Sequence, residues 1–293
     1  MGAIRTAAAL GLFDGVHTGH RSVIDMAVRA AAGAMQPAVF TFDCKSMSFK
    51  QGRGIEYIYT DTYRERLLHS LGIERIFSSD FRELKDMSGE EFVRRVLSER
   101  MNAGYVVCGR DFRFGRNASC GAEELRELAA REGITAEIAG DVTMDGENVS
   151  SRRIRTLLSE GSIEPANDLL GEPYTVYAEV VHGAALGRTI GFPTANQLFS
   201  EGQLIPKAGV YGSAALIDGT WHASMTNIGV KPTVDFTGSP LAETYISDFS
   251  GDIYGQVISV RLLRFIRPEQ KFSSLDGLRA QIARDISSAI GRT

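Results

Sequence analysis

The spacing of hydrophobic and polar positions changes near the middle of the chain. In the first half, short apolar runs at residues 6–12, 37–42, 73–77 and 105–108 are separated by longer segments, and over residues 19–32 the apolar side chains recur at helical spacing. Strands that alternate with helices predict an α/β domain built on a parallel sheet. In such a domain, ligands bind at the carboxyl ends of the strands.

Helix starts and stops can also be located in this half. Thr62 and Glu65 have the spacing of a capping box, which predicts a helix that ends at Gly72. Ser88 and Glu91 repeat that spacing and predict a helix to about residue 101, with a buried stripe formed by its apolar positions 92, 93, 96 and 97. A further short helix is predicted over residues 163–170.

The second half is rich in strand and turn signals. Strands are predicted at residues 175–181, 210–217, 221–227, 241–247 and 256–265, and a turn at 218–219. This pattern predicts a mainly antiparallel, barrel-like β domain, closed by a helix over residues 275–290. The boundary is placed at about residue 172, which gives domains of residues 1–171 and 172–293.

Composition narrows the functional classes. The chain has 293 residues and a net charge of −4 with a pI near 5.8, so it lacks the basic balance expected of a nucleic-acid-binding protein. Its three cysteines fit no zinc spacing and leave one unpaired in any disulfide scheme, which favours a reducing cytoplasm. No apolar run approaches the roughly 20 residues of a membrane span. We expect a cytoplasmic monomer or weak homo-oligomer with small-molecule substrates, and neither nucleic acid nor membrane as a partner.

Residues 183–196, G-A-A-L-G-R-T-I-G-F-P-T-A-N, predict a shaped loop, because its three glycines and Pro193 interrupt regular structure. Glycine amides can approach a polyphosphate, and Arg188 adds positive charge. Thr194 and Asn196 supply the oxygen ligands that Mg²⁺ accepts beside phosphate oxygens. A bulged hairpin in an all-β domain explains the loop equally well when the loop is considered alone.

A second glycine-containing loop, G-L-F-D-G-V-H-T-G-H at residues 11–20, joins the first strand to the first helix. A helix start aims backbone amides and the positive end of the helix dipole at an anion. His17 and His20 are three residues apart and can both donate hydrogen bonds to phosphate oxygens, as an adenylyl transfer requires. Two partly exposed histidines that cap a helix are the structural alternative.

Several motifs resemble those of known families. G-R-T-I-G-F-P-T-A-N at 187–196 resembles the nucleotide and magnesium loop of the riboflavin kinase family, and further matches follow at 209–211, 226–229, 232–233, 243, 248–249, 251–255 and 267–272. Residues 11–20 resemble the HIGH-type loop of the nucleotidyltransferase superfamily. G-R-D-F-R-F-G at 109–115 and V-S-S-R-R-I-R at 149–155 resemble segments of the FMN adenylyltransferase module. The whole chain is similar to the prokaryotic bifunctional riboflavin kinase/FAD synthetase family.

This resemblance implies two ATP-dependent activities, with Mg²⁺ as the metal. Riboflavin would be phosphorylated to FMN, and FMN adenylylated to FAD with release of pyrophosphate. The implied catalytic residues are Glu243 as general base in the kinase, with His17 and His20 in the adenylyltransferase. The implied metal ligands are Thr194 and Asn196, and the flavin-binding candidates are Asp252, Tyr254, Arg267 and Phe272. Residue chemistry and the resemblance together predict ATP or phosphate contacts at Gly11, Asp14, Gly15, Gly19, Asp111, Ser151, Arg153, Arg155, Gly187, Arg188 and Gly191.

Two segments depart from the family pattern. The chain has D-C-K-S at residues 43–46 where family members commonly carry a Pro-His-Pro-like element, and Arg152 where they have threonine. Two alternatives therefore accompany the bifunctional interpretation. One is a riboflavin kinase with a weak or inactive adenylyltransferase domain, and the other is a non-catalytic flavin-binding regulatory protein.

Overall fold

The computed structural model describes residues 4–47, 56–183, 191–230, 240–270, 272 and 274–290. The chain divides into two compact units, Met1–Ser151 and Arg152–Thr293. No helix in the described ranges is long and apolar enough to cross a membrane.

The first unit contains the predicted parallel sheet, with strand order β3-β2-β1-β4-β5. Its strands are β1 (Thr6–Leu10), β2 (Gln36–Phe42), β3 (Arg75–Ser79), β4 (Ala103–Gly109) and β5 (Thr135–Ala139). All neighbouring pairs in this sheet are parallel. The pattern analysis missed β5, because this edge strand, T-A-E-I-A, has only one fully buried residue and therefore no apolar run.

Helices follow the strands as the pattern predicts. They are α1 (Thr18–Ala31), α2 (Cys44–Met47), α3 (Asp61–Ser70), α4 (Phe81–Leu84), α5 (Gly89–Glu91) and α6 (Ala122–Arg131). Helix α5 continues into a π-helical stretch, Phe92–Arg100, in which the Met101 amide donates to the Val96 carbonyl at 3.0 Å. The predicted stripe at positions 92, 93, 96 and 97 is buried. A short hairpin, β6 (Thr143–Met144) and β7 (Glu147–Asn148), completes the unit.

One of the two predicted capping boxes is confirmed and the other is wrong. The Glu91 amide donates to Ser88 Oγ at 3.1 Å, and the Ser88 amide donates to Glu91 Oε2 at 2.9 Å. Helix α3, however, begins at Asp61, and its N-cap is Thr60, whose hydroxyl accepts from the Tyr63 amide at 3.4 Å. Thr62 lies inside the helix because the chain turns helical two residues earlier than the Thr62–Glu65 spacing suggests.

The second unit contains a closed barrel with strand order β10-β11-β12-β9-β8-β13. Its strands are β8 (Thr175–Val181), β9 (Thr194–Leu198), β10 (Gly209–Ile217), β11 (Thr220–Val230), β12 (Pro240–Ile246) and β13 (Val257–Arg267). Its helices are α7 (Ser151–Glu160, which starts at the division), α8 (Ile163–Leu170) and α9 (Leu275–Ile290). Every pair around the barrel is antiparallel, as predicted.

Helix α8 precedes the predicted boundary but packs with the barrel. Asn167 Nδ2 donates to the Leu262 carbonyl at 2.9 Å, and Asn167 Oδ1 accepts from the Tyr174 amide at 2.7 Å. The helix ends at Gly171 in a left-handed conformation, as its sequence predicts. The boundary at residue 172 therefore marks a change in sequence pattern, and as a domain boundary it stays a prediction.

The prediction of a continuous loop up to Asn196 is wrong at its end. Thr194 and Asn196 belong to strand β9, which pairs with β12 on one side and β8 on the other. Residues 191–193, directly before β9, lie outside regular structure, but the alternation from Thr194 onward suits a strand with two neighbours.

The barrel encloses a chain of buried hydroxyl groups. Ser213 Oγ lies 2.8 Å from both Ser224 Oγ and Thr226 Oγ1, and Thr226 Oγ1 lies 2.9 Å from Thr244 Oγ1. All four residues are buried, so even-numbered positions of β11 and β12 point inward. The odd-numbered residues Asn227 and Glu243 therefore lie on the outer face.

Candidate active sites

The first candidate site is the loop between β1 and α1, whose backbone is strained. Phe13 and Val16 have φ values of 49° and 44°, which are uncommon outside glycine, and Gly15 has φ 84°. The Asp14 carboxylate accepts the Ile58 amide at 2.8 Å, and the Ser151 hydroxyl donates to the Asp14 carbonyl at 2.8 Å. Asp14 and Ser151 thus hold the loop in this conformation.

His17 and His20 lie side by side at the start of α1. Their rings are stacked with centroids 3.6 Å apart, and Phe13 packs edge-on against His20 at 5.3 Å. His17 is the N-cap, and its Nδ1 accepts the His20 amide at 3.2 Å, so the neutral ring carries its proton on Nε2. A side-chain carbon at Gly19 would lie 3.2 Å from the His17 ring. The glycine therefore leaves room for the ring.

Arg64, which the sequence analysis missed, stabilises this loop through hydrogen bonds. Its guanidinium donates to the Leu12 carbonyl at 2.9 Å, to the Phe42 carbonyl at 2.7 Å and to Asp61 at 2.6 Å. The side chain is buried in α3 and connects the ends of β1 and β2. An arginine inside an amphipathic helix gives no sequence signal for this role.

His20 is electrostatically unusual. Burial lowers the pKa of His20 well below its ordinary value of 6.5, and the nearby His17 and Arg64 lower it further. Its Nδ1 is buried and has no hydrogen-bond partner among the described residues. His20 is therefore neutral at neutral pH.

The segment after β4 leaves the same edge of the sheet, as predicted. Leu10 of β1 pairs with Cys108 of β4, so the histidine loop and residues 109–115 start side by side. Asp111 is exposed, whereas Phe114 is buried and packs on Phe92 at 5.4 Å. A cavity of about 520 Å³ opens beside this segment, lined by Arg110, Arg113, Gly121, Arg126 and Ile138 among others.

The predicted phosphate residues of α7 differ in exposure. Ser151 makes the contact with Asp14 described above, and the side chains of Arg153 and Arg155 are half-buried, whereas that of Arg152 is exposed. Ile154 and Leu158 form the buried face of this helix. Arg153 and Arg155 are thus distinguished from Arg152, the position that departs from the family pattern.

The second candidate site lies on the outer face of the barrel. Asn196 of β9 pairs with Glu243 of β12, and Glu243 pairs with Asn227 of β11. Side chains directly opposite each other on one face of a sheet have Cβ atoms about 4.5–5.5 Å apart. The three side chains therefore form a row across three strands, and Thr194 and Tyr245 form the adjacent pair.

Asn196 is oriented by its surroundings. It is 7% exposed, and its Nδ2 donates to the Thr194 carbonyl at 3.4 Å. A side-chain carbon at Gly183 would lie 2.6 Å from Nδ2, so only glycine permits this approach. Gly191 has φ 85°, while Gly187 and Arg188 lie outside the described residues.

The four flavin-binding candidates fall in two places. Tyr254 stacks on His182 with ring centroids 3.8 Å apart, and Asp252 accepts the Tyr254 amide at 3.1 Å. This pair lies beside the end of β8, next to Gly183. Arg267 instead forms a buried ion pair with Asp285 of α9 at 2.6 Å, and Phe272 lies 5.9 Å from the Arg267 guanidinium.

Asp285 is a further residue that the sequence analysis missed. It is 3% exposed and also accepts Gln281 Nε2 at 2.8 Å. The Arg267–Asp285 pair fixes the end of β13 to α9, so Arg267 acts on the segment that follows it through its position. An aspartate between isoleucines at helical spacing appeared as a polar position and gave no signal of burial.

Both halves of the chain match known families. The riboflavin kinase family model matches residues 170–291, and the FAD synthetase family model matches residues 3–153. A bifunctional riboflavin kinase/FMN adenylyltransferase from Listeria monocytogenes is 35% identical over 287 residues, covering 96% of this chain and 90% of the relative. One from Bacillus subtilis is 34% identical over 294 residues, covering 98% and 92%.

A solved structure is similar along the full length. It comes from Streptococcus pneumoniae, is described as a macrolide-efflux protein, and is 31% identical with a TM-score of 0.86. The match covers 100% of this chain and 96% of that one. The efflux named there describes that protein alone. The two family models span most of this sequence, and the relatives exceed 30% identity over nearly their whole length, so the chain belongs to the bifunctional riboflavin kinase/FMN adenylyltransferase family.

Proposed function

We propose that the barrel unit phosphorylates riboflavin to FMN and that the α/β unit adenylylates FMN to FAD. The row of Asn196, Glu243 and Asn227 on adjacent strands carries the first assignment. It sets a carboxylate beside the amide oxygen predicted to face ATP. A kinase needs this arrangement, because the proton acceptor must lie beside the hydroxyl whose oxygen attacks the γ-phosphorus in line with the departing ADP oxygen.

Glu243 is the general base of the kinase reaction. Its carboxylate takes the proton from the terminal ribityl hydroxyl as the oxygen bonds to the γ-phosphorus and ADP leaves. The position on regular strand β12, between two paired strands, limits the backbone freedom of Glu243, which supports this role.

Thr194 and Asn196 would hold the magnesium ion of MgATP. The donor set fits, since a hydroxyl and an amide oxygen are hard ligands, and the Asn196 amide nitrogen is already directed to the Thr194 carbonyl. Among the described residues no group of three or more His, Cys, Asp or Glu side chains could hold a metal. Ligation would therefore rely on these two residues together with phosphate oxygens. The ion supplies charge neutralisation on the phosphates when bound.

His17 and His20 stabilise the adenylyl transfer. An FMN phosphate oxygen attacks the α-phosphorus of ATP and pyrophosphate leaves, while ring N–H groups donate to the oxygens that gain charge. The rings are already stacked side by side and need no reorganisation for this. Ser151, Arg153 and Arg155 are proposed to contact the phosphates, and Asp14 to brace the loop.

The proposal also includes residues that contact the flavin. Asp252 and Tyr254 lie beside the nucleotide-loop end of β8, and Phe272 follows the Arg267–Asp285 pair. We assign Phe272 to the flavin wall and Arg267 to its support. A cytoplasmic location and a monomeric or weakly associated state also stay predictions, with the free thiols Cys44, Cys108 and Cys120 in keeping with a reducing compartment.

Separation of flavin products tests this proposal. Purified protein is incubated with riboflavin and MgATP, and separately with FMN and MgATP. The first mixture should yield FMN and then FAD, and the second FAD and pyrophosphate. Tight flavin binding without turnover in either mixture would favour a regulatory protein.

A kinase with a weak adenylyltransferase unit is the second candidate, favoured by residues 43–46. Cys44 is buried and its amide donates to Asp61 at 3.1 Å, while Ser46 Oγ accepts the Phe81 amide at 3.0 Å. These residues are engaged in local structure where the family commonly has a histidine. FMN as the sole product of the first mixture would support this candidate.

A further inference from the structure

Glu269, in the segment after β13, lies over the outer face of β11. Its Oε1 accepts a hydrogen bond from Asn227 Nδ2 at 3.2 Å. A side-chain carbon at Gly229 would overlap the Glu269 carboxylate, so the strand is bare where the carboxylate lies. Asn227 and Gly229 are both odd-numbered and face outward, as Glu243 does.

The segment is anchored where it leaves β13. Arg267, two residues earlier, is held by Asp285 through three hydrogen bonds of 2.6–3.1 Å. The Asn227 contact then holds Glu269 itself. One exposed carboxylate is thereby fixed at a defined place on the barrel, although it takes no part in the strands.

This carboxylate extends the row of the proposed kinase site. The order across the face is Asn196, Glu243, Asn227 and then Glu269. Neighbouring strands lie about 4.8 Å apart. If ATP lies at the Asn196 end and the reacting hydroxyl at Glu243, as the proposed function requires, the rest of the alcohol substrate extends toward Asn227 and Glu269.

We propose that Glu269, positioned by Asn227, is a specificity-determining residue that recognises the polyhydroxyl side chain of the substrate. A carboxylate accepts hydrogen bonds from hydroxyl groups, and bonds to a charged acceptor are stronger than neutral ones. With Oε1 held by Asn227, Oε2 can accept from a chain hydroxyl. Asn227 is a positioning residue, since it acts through Glu269. This inference rests on the proposed kinase function.

The test compares riboflavin with a flavin whose side chain is 5-hydroxypentyl, which keeps the reacting hydroxyl and lacks the other three. The intact enzyme should prefer riboflavin in kcat/KM by about 10- to 100-fold, as expected for a hydrogen bond to a charged group. Glu269→Ala should lower kcat/KM for riboflavin by about tenfold, mainly through KM, and leave the analogue and the KM for ATP unchanged.

Asn227→Ala should reproduce this loss, and it should add little in the Glu269→Ala background, because both changes remove one interaction. If Glu269→Ala unfolds, Glu269→Gln replaces it in the comparison, because glutamine keeps the size of the side chain. Glu179→Ala, an exposed glutamate on β8, is the matched control and should change neither substrate.

Equal losses for riboflavin and the analogue, or additive losses in the double variant, would overturn the assignment. No phosphorylation of either flavin by the intact enzyme would instead contradict the kinase function itself. The two failures are therefore distinguishable.

Discussion

The two candidate sites are built in opposite ways. The histidine site is an irregular loop in which Phe13 and Val16 have positive φ and the rings of His17 and His20 stack. The barrel site is a row of side chains in regular register on three antiparallel strands. The groups of the loop lie within ten residues of sequence. The row brings together Asn196, Asn227 and Glu243, which span 48 residues of the chain.

The two sites need structural support at different places. In the α/β unit, buried Arg64 donates to the carbonyls of Leu12 and Phe42, where the chain leaves β1 and β2. The barrel strands satisfy one another, so Arg267, whose side chain is 15% exposed, fixes the segment beyond β13 through Asp285. Arg64 and Arg267 thus each support a part of the chain that lacks regular hydrogen bonding.

The largest expected effect is on the barrel chemistry. Glu243→Gln removes the proposed proton acceptor and should lower the rate of riboflavin phosphorylation by about 10²–10⁴-fold. FAD formation from supplied FMN should be unchanged. Rates are measured by separating flavins, with Glu179→Gln as the control. A near-normal kinase rate would remove the assignment of Glu243.

Removal of the buried ion-pair partner tests the support of the barrel. Asp285→Ala leaves Arg267 without its carboxylate and should lower the free energy of unfolding of this unit by about 3–5 kcal/mol. Fluorescence of Trp221, the single tryptophan, reports barrel unfolding in urea. Asp276→Ala breaks only an exposed pair with Arg279 and should cost less than about 1 kcal/mol. Similar losses in the two variants would show that burial of the pair is unimportant.

The histidine loop should respond separately. His20→Ala removes a proposed hydrogen-bond donor to the phosphates and should lower FAD formation from FMN by about 10²–10³-fold, with riboflavin phosphorylation retained. His69→Ala changes an exposed histidine on α3 and serves as the control. Parallel loss of both activities in His20→Ala would argue against separate sites.

Acid should destabilise the α/β unit through His20. Because its pKa in the folded protein is lowered, the unfolded chain binds a proton first as the pH falls below 6.5. The stabilisation is complete above that pH and falls by up to about 1.4 kcal/mol per pH unit until the folded-state pKa is reached. The free energy of unfolding is measured between pH 5 and 7 by urea unfolding followed by circular dichroism. It should fall less steeply with falling pH in His20→Asn than in the parent protein. The same pH dependence in the variant and the parent would contradict the lowered pKa of His20.

The smallest effect separates the observed helix cap from the expected one. Thr60→Ala removes the acceptor for the Tyr63 amide and should cost about 1 kcal/mol of stability, since α3 carries Arg64. Thr62→Ala lies inside the helix and should be within about 0.5 kcal/mol of the parent. The reverse order in urea unfolding would restore the cap predicted from the sequence.

Much of the local structure could be predicted from the sequence, because its causes lie within a few residues. The Ser88 capping box, the end of α8 at Gly171 and the alternation along the barrel strands depend on neighbours in the chain. The approach of His17 and His20 follows from their spacing at a helix start. The sequence did not predict the weakly apolar edge strand β5 or the correct cap of α3, because their patterns are ambiguous without tertiary packing.

The sequence by itself determined that an α/β half precedes a β half, and it predicts which residue types carry the chemistry. Only the tertiary structure decided that Asn196, Glu243 and Asn227 are cross-strand neighbours, that Arg64 holds the carbonyls of two strand ends, and that Asp285 is buried. The physical reason is that strand register and buried ion pairs depend on contacts between residues far apart in the chain, which no local spacing records.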